Sequence, residues 1–267
     1  TPLFEMSRRL SSNYVRPFID SSPLKELIID STCDNSVLQR TFVNNSVMHF
    51  SYASYDAERV RGLAIDKTVF DEVQNIDWDF LGVIQECMSA SRYGISQFSG
   101  TPKTLDNTIE VLWQDSSMAE FCVKCTACNH WNIPNLANDV LKMISKTGLI
   151  CAKCSRPINP KENGAWIHQQ ESKKLSFAGY HIPQIIMPMH YELPNKWDIL
   201  WNKFQGSKLA QSTFYNECLG ESSDLGAKLL TITDIKSASN PDIPKDISSL
   251  SSQQYLSQFS QLSMGVD

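Results

Sequence analysis

Between Ala64 and Gln114 the spacing of apolar residues changes period from one segment to the next. Ala64 to Phe70 is short and apolar-rich and predicts a strand. In Asp77 to Ser91 the residues Phe80, Leu81, Ile84, Cys87 and Met88 recur at helical spacing, which predicts a helix packing one face on a sheet. Tyr93 to Ser99 predicts a second strand, and Leu105 to Gln114 a second helix with Leu105, Ile109, Leu112 and Trp113 on its inner side. This β-α-β-α order fits an open α/β sheet that takes its ligand at the carboxyl ends of the strands.

The flanking segments are read in the same way. Leu3 to Phe18 is helical in pattern and ends near Pro17. Arg40 to Val43 and Val47 to Tyr52 flank Asn44-Asn45, a hairpin signal because Asn tolerates positive φ. Met118 to Lys124 alternates as a strand does, Leu175 to Ile186 predicts a strand, and Trp197 to Phe204 and Leu209 to Cys218 predict helices. Residues Ser237 to Ser263 are rich in Ser, Pro and Asp and read as a linker.

The first strand closes on two acids, Asp71 and Glu72, and the second on Ser99-Gly100-Thr101-Pro102. Adjacent carboxylates at a strand end suit nucleotide hydrolysis: the first holds Mg²⁺ through water and the second polarises an attacking water. Small hydroxyl and glycine residues on the neighbouring strand end suit sensing of a γ-phosphate. The bland alternative for such a short motif is a solvated strand terminus. The chain contains no GxxxxGK[ST] and no Gly-Lys dipeptide, so the phosphate-cradling half of such a core is expected elsewhere. A start at Thr1 and an end at Met264-Gly265-Val266-Asp267, where an apolar strand begins, carry the same expectation of an internal fragment.

Cysteine spacing is the second chemical signal. Four of the eight cysteines form two CxxC knuckles, Cys125/Cys128 and Cys151/Cys154, separated by the 22 residues 129–150. Each knuckle turns tightly enough to aim both sulfurs at one ion, so the four predict a structural S₄ zinc site. Disulfides are the competing reading, but Cys33, Cys87 and Cys218 are scattered and no secretion signal opens the chain, which favours a reducing compartment. Cys122 and His130 rival for a ligand position. Cys122 is more simply a strand residue facing the core, and His130 a polar residue beside the knuckle.

With 42% hydrophobic and 20% charged residues among 267, the chain has enough apolar material for a core. Its longest apolar stretches, such as Ile182 to Met189, are too short to span a bilayer, so a soluble intracellular protein is expected. The net charge of −5 does not advertise nucleic-acid binding. Residues 121–174 are locally basic: eight Lys and Arg against three acids, 8 − 3 = +5, lowered by two if four thiolates hold a zinc ion. Arg8 and Arg9 read as a solvated helix face rather than a trans-acting finger, His181 and His190 as hydrogen-bonded residues at a core edge, and Trp113, Trp197 and Trp201 as core.

The joint order Arg61-Gly62-Leu63, Phe70-Asp71-Glu72, Ser99-Gly100-Thr101-Pro102-Lys103, Cys125-x-x-Cys128, Cys151-x-x-Cys154, Gly179-Tyr180-His181, Trp197 and Phe214-Tyr215-Asn216-Glu217-x-Leu219-Gly220-Glu221 resembles the large subunit of tailed-phage terminases, in the branch that inserts a zinc ribbon behind the ATPase core. The resemblance implies an α/β fold: the C-terminal half of a P-loop, RecA-like ATPase over residues 1–120, a zinc ribbon over 121–174 and an α+β segment over 175–236. A linker over 237–263 would then lead to the first strand of an RNase H-like nuclease at 264–267. It implies that Asp71 coordinates Mg²⁺, Glu72 is the catalytic carboxylate, and Ser99, Gly100 and Thr101 couple ATP hydrolysis to DNA movement. Asp267 would be a nuclease metal ligand. The implied cofactors are ATP, Mg²⁺ and structural Zn²⁺; the implied partners are double-stranded DNA, a small terminase subunit, the portal and further copies in a ring on the procapsid, in the host cytoplasm and without a membrane. Two other readings remain open at this point: a non-catalytic zinc-ribbon module binding DNA or protein, and a helicase-like ATPase of another nucleic-acid process.

Overall fold

In the computed structural model, residues 1–28, 35–53, 57–206 and 211–223 are described. The predicted linker and Asp267 lie outside the described residues, as does Cys33.

The chain opens with one helical run in three parts: α1 (Phe4–Arg9), a π-helical stretch Leu10–Val15 and α2 (Arg16–Asp20). The predicted stop at Pro17 is therefore too early. Pro17 lies within the continuous run, where it forgoes one helical hydrogen bond, and the widened π-helical turn before it makes room for its ring. A small antiparallel sheet follows, in the order β1 (Asn35–Ser36), β2 (Gln39–Thr41), β3 (Val47–His49), with Asn45 at φ 63° in the turn. The hairpin forms at the Asn-Asn signal for the expected reason.

The β-α-β-α pattern folds as read, with shorter strands. β4 (Lys67–Phe70) and β5 (Ile95–Phe98) pair in parallel, Phe70 opposite Phe98. Between them runs α3 (Trp78–Glu86), capped by the Asp77 carboxylate, which accepts from Asp79 N–H at 3.1 Å. After β5 comes α4 (Thr108–Asp115), capped by the Asn107 side chain on Glu110 N–H. One face of the strand pair is covered: Phe70 stacks on Phe98 at 4.9 Å and packs with Val73, Ile76, Leu81, Ile84 and Leu112. The other face is open, with Val69 and Ile95 56% and 52% exposed. A fully buried strand, the usual state in parallel sheets, is thus not what β4 presents.

The second half has its own core. β6 (Ala119–Lys124) is central, flanked by β7 (Trp131–Asn132), the later strand β10 (Gly164–His168) and β11 (Tyr180–His181); β8 (Ile144–Ser145) and β9 (Gly148–Leu149) form a separate ribbon. Helices α5 (Pro160–Asn163), α6 (Met189–Glu192), α7 (Lys196–Phe204) and α8 (Gln211–Thr213) follow, and α8 runs into a π-helical stretch Phe214–Leu219. The strand expected over Leu175 to Ile186 is reduced to Tyr180–His181, and a 3₁₀ turn occupies Gln184–Ile186. The limit is the pairing partner. β11 adds to β6 only opposite Ala119 and Glu120, and Pro183 has no N–H to extend the ladder. Gly179 makes the approach possible, since a Cβ there would overlap Ser116 Oγ.

Val140, Met143, Ile144 and Leu149 share one core with Ile185, Trp197, Leu200, Phe214 and Leu219, so the segment between the knuckles is packed against the later helices. Trp197 is buried and Trp201 packs at the core margin, as the helical spacing implied. Adjacent residues on α7 separate burial from identity. Leu200→Ala, at 2% exposure, is expected to cost about 2–5 kcal/mol in chemical denaturation, whereas Ile199→Ala, at 51% exposure, stays within about 0.5 kcal/mol.

Candidate functional site: a braced pair of strand ends and a four-cysteine centre

The carboxyl ends of β4 and β5 are tied together by backbone and side chain. Ser99 N–H donates to Phe70 O at 2.8 Å and Val73 N–H to Ser99 O at 3.0 Å, carrying the pairing past the strand ends. Ser99 Oγ lies 3.1 Å from Phe70 O and 3.2 Å from Asp71 Oδ1. Glu72 takes left-handed backbone angles, φ 55° and ψ 43°, and its Oε2 accepts from Gln74 Nε2 at 2.7 Å. A non-glycine residue in that region is strained, and such residues concentrate where geometry is functional. Asp71, Glu72, Ser99 and Gly100 therefore meet at one edge, with both acids half-buried and Ser99 and Gly100 exposed.

Thr101 continues from this edge into a cleft of about 730 Å³, which is also lined by Ser99, Gly100, Trp113, His181 and Glu221. Beyond it, Lys103 Nζ donates to Asn75 Oδ1 at 2.7 Å, and Lys103 O accepts from Asn216 Nδ2 and Ser223 N–H. The Phe214 to Glu221 motif thus closes on the loop that follows Thr101.

A buried charge holds the far wall. Glu120, 4% exposed on β6, accepts from Asn135 Nδ2 at 2.9 Å and faces His181 Nδ1 at 2.8 Å. The other ring nitrogen, Nε2, lies 2.6 Å from Leu219 O. A carbonyl oxygen and a carboxylate oxygen face the two ring nitrogens, an arrangement that favours the protonated ring, which donates from both. Burial alone would lower the His181 pKa, but the hydrogen bond and charge of Glu120, with Glu221 nearby, outweigh it and raise the pKa above the ordinary 6.5. Glu221 accepts Leu136 N–H at 2.9 Å, and burial pushes its own pKa up. His190 is buried with Nδ1 unpaired, so of the two histidines only His181 fits the expected hydrogen-bonded role in full.

The cysteine pairs come together as the spacing implied. The ligand atoms of Cys125, Cys128, Cys151 and Cys154 all lie within 4.8 Å of one another. Cys125 and Cys154 sulfurs are 3.7 Å apart, as are those of Cys128 and Cys151. A tetrahedral ion bound at 2.3 Å sets its sulfurs about 3.8 Å apart, so the residues fit zinc. The two knuckles share a fold. Cys125 N–H donates to His130 O and Cys151 N–H to Arg156 O, each at 2.8 Å, and Asn129 and Ser155 occupy positive φ at equivalent positions. Asn132, 1% exposed, joins them by donating to Val123 O and accepting from Ala152 N–H.

Cys151 has its thiol pKa drawn down to about 7: desolvation opposes this, but the Cys154 and Lys153 N–H groups stabilise the thiolate. Cys122 is the opposite case. Burial and then the Glu120 charge push it up to about 11, it stays a thiol, and it is outside the cluster, as is His130. Arg8 pairs with Glu5 at 2.9 Å on an exposed helix face. Sequence reasoning missed Glu120, Gln74 and Asn132. A carboxylate inside the otherwise apolar Ala119 to Val123 was a usable signal for the first; the other two gave none.

Two outcomes follow. Purified without added metal, the chain should carry one zinc by elemental analysis; Cys122→Ser should keep it and Cys151→Ser should lose it. Since the His181 pKa is raised in the fold, its stabilisation is complete below 6.5 and is lost as pH rises through the raised value. Thermal unfolding should accordingly shift to lower temperature as pH is raised above 6.5. His181→Ala, which strands the buried Glu120 charge, should cost about 3–5 kcal/mol and flatten that dependence.

Neither the curated proteins nor the solved structures give a match to this chain. A family model does match, that of the phage terminase large subunit gpA ATPase domain, over residues 2–171. The matched region contains Asp71, Glu72, the Ser99 to Thr101 loop and all four clustered cysteines, and spans more than half of the sequence. By that match the chain belongs to the phage terminase large subunit ATPase family.

Proposed function

We propose that this chain supplies the acid-bearing half of the ATPase of a viral DNA-packaging motor, with Asp71 as the Mg²⁺ carboxylate and Glu72 as the group that polarises the attacking water. One observation carries this reading: Ser99 Oγ sits between Phe70 O and Asp71 Oδ1, so the strand that senses phosphate is braced to the strand that holds the metal. In phosphoryl transfer the protein contributes mainly position and charge, and a braced carboxylate pair provides both. Ser99, Gly100 and Thr101 act as the coupling loop. Mg²⁺, when bound with ATP, neutralises charge developing on the phosphates, and Asp71 orients its hydration shell.

The open face carrying Val69 and Ile95 is one that crossover helices of a P-loop core would cover, while its further strands would pair at the edges of β4 and β5. The phosphate-binding loop is contributed from outside this sequence, which contains no GxxxxGK[ST]. Zinc on Cys125, Cys128, Cys151 and Cys154 is structural: four thiolates fill its shell and leave no position for substrate. Double-stranded DNA is the translocated partner, with a small subunit, the portal and a ring of copies completing the machine in the host cytoplasm. No helix among the described residues is long and apolar enough to cross a membrane. Asp267 is assigned to an RNase H-like nuclease from the sequence alone.

Purified by itself, the chain should neither bind ATP tightly nor hydrolyse it, since the backbone N–H cradle and lysine that hold nucleotide phosphates are missing. In the large subunit with its phosphate loop present, Glu72→Gln should lower kcat by about 10²-fold or more while nucleotide stays bound. Loss of nucleotide binding in that variant, measured by equilibrium titration, would make Glu72 structural.

A further inference from the structure

We propose that Gln74 is the positioning residue of Glu72, and that it can occupy this place because residue 100 has no side chain. The inference rests on the reading of Glu72 given above. Glu72 begins the 3₁₀ turn Val73–Asn75 in left-handed geometry, and Gln74 Nε2 reaches back to Glu72 Oε2 at 2.7 Å. An ionised carboxylate only accepts hydrogen bonds, so the amide has no choice of orientation: Nε2 faces Glu72 and Oε1 faces away. That forced orientation leaves Gln74 Oε1 buried without a partner. A buried acceptor left unpaired opposes folding, and its retention points to a demand made by the other end of the amide.

The space that receives Oε1 belongs to the coupling loop. A Cβ on Gly100 would overlap Gln74 Oε1 and come within 3.3 Å of Val73 N. Val73 N–H is itself bonded to Ser99 O at 3.0 Å, so the turn that carries Glu72 and Gln74 is tied to the loop at the residue next to Gly100. One carboxylate oxygen of Glu72 is thereby held, and the second is left to accept from water. A displacement of the Ser99 to Thr101 loop is transmitted to the Glu72 carboxylate through the Gln74 amide.

The test is steady-state ATP turnover by the large subunit that carries this chain. A misplacement of about 1 Å in a reacting group costs up to about 10²-fold in rate. Gln74→Ala should lower kcat by about 10- to 100-fold with KM changed less than about twofold, and Gly100→Ala should do the same. In the Gln74→Ala background Gly100→Ala should cost much less than in the parent, because the overlap with Gln74 Oε1 is gone and only the 3.3 Å approach to Val73 N remains. Gln74→Glu is the decisive variant. Its neutral acid has the same shape and donates to Glu72, so kcat should recover as pH is lowered, a response that Gln74→Ala should lack.

Full activity of Gln74→Ala, additive effects of the two substitutions, or no recovery of Gln74→Glu at low pH would overturn the proposal. Glu72→Gln separates the two readings: if it leaves turnover intact, the role of Glu72 itself fails, whereas loss of turnover there with a fully active Gln74→Ala removes only the positioning role. Thermal unfolding of the chain alone gives a second readout if turnover of Gly100→Ala is limited by folding. Gly100→Ala should unfold at lower temperature, and adding Gln74→Ala should restore much of the difference; no restoration means that Gln74 does not fill that space.

Discussion

A carboxylate cannot be buried without partners, and Glu120 is 4% exposed in the middle of β6. Its two oxygens are taken by Asn135 and His181, which come from the segment between the cysteine knuckles and from β11. His181 then reaches the carbonyl of Leu219 at the end of the last π-helical stretch. Three stretches far apart in sequence are thus fixed by one charge, and a slip of β11 by one residue would turn His181 to the opposite face and strand Glu120. Hydrophobic packing alone does not impose that register, since β11 contributes two residues to the sheet and Tyr180 is half exposed.

This constraint explains why the four-cysteine centre sits in a larger unit. The segment 121–174 holds few large apolar residues, but Val140, Met143 and Leu149 are almost fully buried against Ile185, Leu200 and Leu219. A zinc ion held by the four cysteines would order the two knuckles, Asn132 ties them together, and the shared core orders the chain between them.

The sequence was legible where the physics is local. Helical spacing in Asp77 to Ser91, the Asn44-Asn45 turn and the CxxC pairs each depend on a few neighbouring residues, and each appears in the structure with only the ends trimmed. Strand extent was not legible, because a strand ends where its partner ends. Leu175 to Ile186 reads as a strand by its apolar residues, yet β6 offers it only Ala119 and Glu120, and Pro183 cannot extend the ladder. Asp71 and Ser99 were visible as residue types at strand ends, whereas the bond between them depends on β4 and β5 being parallel neighbours in one register. Gln74 carried no signal at all, because its place is set by a left-handed residue two positions before it and a glycine 26 positions after it.

Hydrogen bonds also link the loop after Thr101 to the segment between the knuckles. The loop after Thr101 is held by Asn216 Nδ2 and Ser223 N–H at the Lys103 carbonyl, and Asn216 also bonds Glu221 O. Glu221 in turn accepts from Leu136 N–H, one residue from the Asn135 that satisfies Glu120. Under the proposed reading, the edge that responds to phosphate and the segment that holds zinc are therefore joined by a short run of hydrogen bonds on a packed core. The Phe214 to Glu221 stretch is thus bonded on one side to the loop that follows Thr101 and on the other to the segment between the two cysteine knuckles, so the packing of that stretch and the positions of both segments depend on one another.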